Sequence, residues 1–201
     1  MRHLKIIGLL AVAATAIMAF VGVGSAAAEV LWTRNSGGTL TTVATGTALK
    51  SSLESGTSAL LKDTAGGVND TCTGSTVEGK VETNSGGSAG GKVSSLTFTG
   101  CSHTTDVLAP GSLSIKRIAG TTNGTVTSSG ARVTIKSTIF GISCVANTGA
   151  GTTIGTLTGA ATNTASATMD INAVITLENG CGDSTWTGSY LVTSPLGLVA
   201  D

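Results

Sequence analysis

Along most of the chain, apolar and polar residues alternate with a period of two. In ASATMDINAVITL (165–177), Ala167, Met169, Ile171, Ala173, Ile175 and Leu177 share one parity. Thr168, Asp170, Asn172 and Thr176 share the other, with Val174 the exception. Successive side chains of a strand point to opposite faces, so this pattern predicts a strand with one face buried. ARVTIKSTI (131–139) predicts a second, with Val133, Ile135 and Ile139 inward and Arg132, Thr134, Lys136 and Thr138 outward. Gly141 then shifts the parity and turns Ile142 and Cys144 inward. STWTGSYLVTSP (184–195) sets Trp186, Tyr190 and Val192 on one face and stops at Pro195.

Further strands are predicted near 40–49, 57–64, 71–83, 92–101, 112–118 and 151–160, with a short one near 124–128. NSGGSAGG (84–91) reads as a flexible hairpin loop and ATNT (161–164) as a shorter one. TALKSSLESGTSALLKD (47–63) comes closest to a helical stripe, but Gly56 and its serines argue against a helix. About nine short strands predict an all-β fold: a single antiparallel β-sandwich, with a jelly roll or a barrel as variants. No fixed repeat supports a solenoid.

One segment breaks the alternation. MRHLK carries Arg2 and Lys5, residues 6–24 are uncharged and apolar, and Ala26 and Ala28 form an A-x-A site. These are the parts of a cleaved secretory leader over residues 1–28, and residues 29–201 are then the mature domain. The membrane enters this picture only through the leader.

Export gives the four mature cysteines, Cys72, Cys101, Cys144 and Cys181, a disulfide reading. Paired residues of a hairpin lie equally far from its turn. Cys72 and Cys101 flank the 84–91 loop almost symmetrically, in a register that also sets Val77 opposite Leu96 and Ser75 opposite Phe98. Both cysteines then fall on the face opposite Leu96 and Phe98. Cys144 and Cys181 flank ATNT symmetrically, in a register that sets Ile154 opposite Ile171. The expected pairs are Cys72–Cys101 and Cys144–Cys181.

The stretch GCSHTTD (100–106) brings together Cys101, His103 and Asp106. A thiol nucleophile needs a free thiolate, and a bond to Cys72 removes it. His103 is the only histidine outside the leader, and no G-x-S-x-G elbow is present for a serine nucleophile. His103 and Asp106 then belong to a solvated turn. No C-x-x-C spacing suits zinc. LENGCGD (177–183) offers Glu178, Asn179 and Asp183 as calcium ligands in one turn. GAGTTIGTLTG (149–159) lacks a phosphate-loop lysine and reads as turn plus strand. NDT (69–71) and NGT (123–125) mark surface turns.

Without Arg2 and Lys5, nine basic residues stand against eleven acidic ones, spread along the chain, which excludes a nucleic-acid footprint. Five aromatics remain, Trp32, Phe98, Phe140, Trp186 and Tyr190, few for sugar stacking or for the girdles of a membrane barrel. TLTTVATGT (39–47) only hints at the threonine ladder of a surface binder.

LTFTGC (96–101) and WTGSYLVTSP (186–195), with the Ala-rich leader, resemble the uncharacterised small secreted four-cysteine β-proteins of high-GC Gram-positive bacteria. The resemblance implies export and an all-β fold, and no activity. The expectation is an extracellular or cell-envelope structural or binding module, without catalytic residues or cofactor, whose partner is at the envelope or surface. An envelope β-barrel or pore, and a secreted hydrolase with dispersed carboxylates, are the alternatives.

Overall fold

In a computed structural model of the chain, residues 28–63, 69–136, 141 and 143–201 are described. The expected leader, apart from Ala28, lies outside them, as do Thr138, Ile139, Phe140, Ile142 and the end of the expected 57–64 strand.

The described residues are all-β, with sixteen strands. In chain order they are β1 (Leu31–Arg34), β2 (Leu40–Thr42), β3 (Ala48–Leu53), β4 (Ala59–Asp63), β5 (Asn69–Lys80) and β6 (Thr83–Ser85). Then come β7 (Ser88–Cys101), β8 (Thr104–Ala109), β9 (Ser112–Arg117), β10 (Gly124–Ser129) and β11 (Arg132–Lys136). The last five are β12 (Ser143–Asn147), β13 (Thr152–Thr158), β14 (Thr168–Glu178), β15 (Gly182–Ser194) and β16 (Leu198–Ala200).

The barrel variant of the expected fold is the one built. Every pairing is antiparallel, and eight strands close a ring: β3, β5, β7, β9, β10, β13, β14, β15 and back to β3. The four longest strands, β5, β7, β14 and β15, continue below this ring. There β4 takes the place of β3 between β15 and β5, while β12, β11 and β8 extend from β14. The lower half is not closed. Among the described residues, nothing pairs with the free edge of β8 or with the matching edge of β7 beyond Val93.

A small sheet, β16-β1-β2, caps the ring. Asn84 secures it. Its Oδ1 accepts the backbone N–H of Val30 (2.9 Å) and Leu31 (2.8 Å), and its Nδ2 donates to the carbonyls of Leu31 and Val43 (both 2.9 Å). The 84–91 stretch is therefore no flexible loop. Gly86 and Gly87, at φ 69° and 79°, make a two-residue turn between β6 and β7, a conformation that needs positive φ at both places.

The alternation on β14 is realised in full: Met169, Ile171, Ala173, Ile175 and Leu177 are buried, and Val174 is 60% exposed. On β15, Tyr190 and Val192 are buried and Trp186 packs against the core. On β11, Ile135 is buried as expected, but Thr134 is buried too, because β11 is a central strand with Val145 and Asp106 on either side. The 40–49 stretch is two strands rather than one, broken at the turn before Thr47. Asn69–Thr71 opens β5 instead of forming a turn, whereas Asn123 does close one.

Both expected disulfides are present, Cys72–Cys101 and Cys144–Cys181. The β5–β7 register is the expected one, with Cys72 opposite Cys101, Val77 opposite Leu96 and Ser75 opposite Phe98. The face assignment is not. Cys72 is 3% exposed and lines the same interior as Leu96 and Phe98. Gly74 on β5 and Gly100 on β7 explain it. A Cβ at Gly74 would sit 2.3 Å from Thr99 Oγ1, and one at Gly100 would sit 2.2 Å from Thr73 Oγ1. With a glycine at the crossing on each strand, both change parity together and the register survives. For the second pair, β14 sets Gly155 rather than Ile154 opposite Ile171. β12 and β13 meet β14 end to end along one edge, and the turn at 148–151 between them absorbs the offset.

Candidate functional site

Three features compete as a site: the turn around His103, the 177–183 turn and the barrel interior.

The turn joining β7 to β8 folds over the carboxylate of Asp70, which is 3% exposed. Asp70 Oδ1 accepts from Ser102 Oγ and from the backbone N–H of His103, both at 3.0 Å, and Oδ2 accepts from Thr105 Oγ1. His103 Nδ1 lies 3.7 Å from Asp70 Oδ1, and the ring is only 17% exposed, so this turn is not the solvated one expected. Asp106 sits apart on β8, paired with Lys136 at 2.9 Å.

Serine, histidine and aspartate thus meet, but not as a catalytic triad. A triad holds its aspartate on one ring nitrogen and its serine on the other. Here Ser102 Oγ (3.3 Å) and Asp70 Oδ1 both face Nδ1. The cluster caps a buried carboxylate and holds the turn. Asp70, Cys72 and Cys101 also fall within 4.8 Å of one another, the spacing of a metal site. Both sulfurs are consumed in a disulfide, which leaves no thiolate to ligate.

In the 177–183 turn, Glu178 is engaged by the Arg132 guanidinium and by Asn147 Nδ2 (2.7 Å). These two contacts, Arg132 first, hold its carboxyl below the usual glutamate value. Asn179 occupies the left-handed region at φ 67° and donates from Nδ2 to the Ser143 carbonyl at 3.3 Å. Asp183 follows on β15. A calcium ion here would have to displace a guanidinium from Glu178.

The barrel interior is the third feature. Three apolar cavities follow one another along it. The lowest, about 60 Å³, lies in the open half among Leu60, Leu96, Phe98, Val133, Ala146 and Trp186. The middle one is about 30 Å³, and the highest, about 80 Å³, lies beneath Leu31 and Leu198 of the cap. Small residues account for the space. Ala59, Ala131 and Ala146 stand inward where larger side chains would meet across the lower half. Asp70 is the one carboxylate among the described residues lining any of the three.

Sequence reasoning placed the disulfides but missed Asp70, Asn84 and the cavities. Asp70 and Asn84 left no signal, since both lay in stretches read as turns. The cavities had none but the run of alanines and glycines at inward positions.

No protein-family model, curated protein or solved structure matches the chain.

Proposed function

We propose that the chain is an exported, non-catalytic binding module, released or held at the cell envelope, that takes its ligand inside the barrel. The observation that carries this reading is an apolar interior left partly unfilled in a fold whose strands are otherwise closely paired. Native interiors pack densely, and small barrels hold either side chains or one small ligand. Two disulfides in a small fold agree with an oxidising, extracytoplasmic setting.

The alternatives gain less support. A membrane barrel turns apolar side chains to lipid and polar ones inward. Here the apolar side chains point inward, and the large hydrophobics exposed among the described residues are Leu108, Ile118, Val174 and Leu196. A hydrolase of the two-carboxylate kind needs a pair of acids flanking a cleft. The acids at hand are committed elsewhere, as Glu78 to Lys50, Asp106 to Lys136 and Glu178 to Arg132.

The test is titration of the exported protein, without detergent, with the slender neutral probe hexan-1-ol, followed by the NMR shifts of Met169 and Trp186, which wall the cavities. Saturable shifts at these residues are expected, with dye-loaded sealed liposomes left intact. Release of dye from the liposomes, or no saturable shift, would overturn the reading.

A further inference from the structure

β7 and β8 are neighbours in sequence, joined by the two residues Ser102 and His103, yet no ladder holds them together. Higher up, the same hairpin is paired. β7 ladders with β9 as far as Lys92 and Ser112, and Val93 N–H then donates to the Gly111 carbonyl at 3.0 Å. Between that bond and the Ser102–His103 turn, β7 is paired only with β5, and β8 only with β11, among the described residues. The seam is therefore a slit, fastened at both ends.

Backbone irregularities sit at those ends. The β5–β7 register shifts beside Ser94, which leaves that residue without a partner on β5. The β8–β11 register shifts beside Leu108 in the same way. Gly100, at φ 58°, marks the lower end. A bulge bends the strand that carries it, so each strand can swing at its own bulge while the ladders beyond it hold.

The two edges match across the slit. The extra residue at Ser94 moves the hairpin on by one position from the β7–β9 pairing, which sets Phe98 opposite Val107, Thr97 opposite Leu108 and Thr99 opposite Asp106. Phe98 lines the lowest cavity. Val107 shares its inward face, being the register partner of Val133, which lines the cavity too. Thr97, Thr99, Asp106 and Leu108 are exposed, Leu108 to 56%. Inward residues thus oppose inward ones and outward residues oppose outward ones, as a ladder requires. Behind the slit lies the lowest cavity, about 60 Å³, with Leu96 and Phe98 on one side and Thr105 on the other.

We propose that this slit is the gate of the lowest cavity. It admits a small apolar molecule while open, and it closes over that molecule when β7 and β8 zip together at Phe98 and Val107. This rests on the binding-module reading and adds its route of entry. Val107 does not line the cavity in the open form. A guest touches Phe98 in both forms and Val107 only in the closed one. That difference in contact shifts the balance towards closing.

Two double variants of the exported chain test the gate, both changed only at exposed positions. Thr97→Lys with Leu108→Glu sets opposite charges across the slit, and Thr97→Lys with Leu108→Lys sets like ones. Both lose the Thr97–Thr76 hydroxyl contact, which cancels in the comparison. Nuclear Overhauser contacts between Phe98 and Val107 should be stronger in the first variant, and amide exchange over 95–99 and 106–108 slower. With hexan-1-ol as the probe, both should bind it, and its release from beside Trp186 should be about fivefold slower in the first. In the unaltered chain, saturating hexan-1-ol should strengthen the Phe98–Val107 contacts. Absence of those contacts from the first variant would overturn the zipped form. Equal release from the two variants would overturn the gate and leave the binding module standing. If hexan-1-ol shifts neither Met169 nor Trp186, the binding module fails and the gate with it.

Discussion

The two halves of the barrel are held by different means. The upper half is a closed ring of ladders around a continuous core that includes Val126, Ile154, Leu157, Met169 and Tyr190. The lower half has an open seam between β7 and β8, and its separate buried cluster is small: Leu61, Ile135, Cys144 and Leu177. Both disulfides and the Asp70 cap lie in this half. Where hydrogen-bonded closure is complete, no covalent bond is used. Where it is incomplete, cross-links and a buried carboxylate take over. Unfilled space does not follow this divide: the cavity beneath the cap, about 80 Å³, is larger than the one beside Leu96 and Phe98, about 60 Å³.

The sharpest way to break this comparison is to remove the bridges. They span 29 and 37 residues, and each contributes roughly 3–4 kcal/mol in the chain-entropy account. With all four cysteines changed to alanine, hydrogen exchange should accelerate strongly in β4, β8, β11 and β12 and far less in β9, β10 and β13. Equal acceleration in both halves would erase the distinction. Next in size is Asp70→Ala, which strips the acceptor from Ser102, His103 and Thr105 and should cost about 3 kcal/mol by chemical denaturation. A change near zero would show that the seam is held by the disulfide alone.

Tyr190 probes the upper half. Its hydroxyl donates to the buried Ser75 Oγ at 3.1 Å, and Tyr190→Phe should cost about 1 kcal/mol at neutral pH. Burial, opposed in part by that hydrogen bond, raises the phenol above its ordinary value of 10.0. The folded state then favours the neutral phenol. Its contribution is complete below pH 10.0 and declines as pH rises beyond it. The alkaline loss should vanish in the phenylalanine variant, and its persistence would assign the loss to another group.

The smallest effect is at Glu178, where Arg132 and then Asn147 lower the carboxyl from 4.5. A lowered value favours the charged form in the folded state. The contribution is complete above pH 4.5 and fades as pH falls through the depressed value. Glu178→Gln should flatten the acid limb of a thermal-melt profile without altering its neutral region.

How far each half could be read in advance follows the same divide. β14 and the β5–β7 register were readable because they are local: alternation within one strand, and a hairpin about one turn. The ring was not, since it is closed by β15 pairing with β3 and β4, more than a hundred positions earlier in the chain. β8 escaped notice because a six-residue strand with an aspartate in it leaves little pattern. Gly74 and Gly100 reversed a face assignment that the register alone made plausible. As for the site, a cavity is a deficit of atoms shared among distant strands, and no single residue announces it.

The pairing of β1 with β16 bears on the order of folding. Leu31 lies against Ala200, so β1 waits for a partner strand made about 170 residues later. Loop-closure entropy makes such distant contacts slow to form. The cap therefore closes last, and until it does the upper end of the interior remains open to solvent and to whatever enters from it.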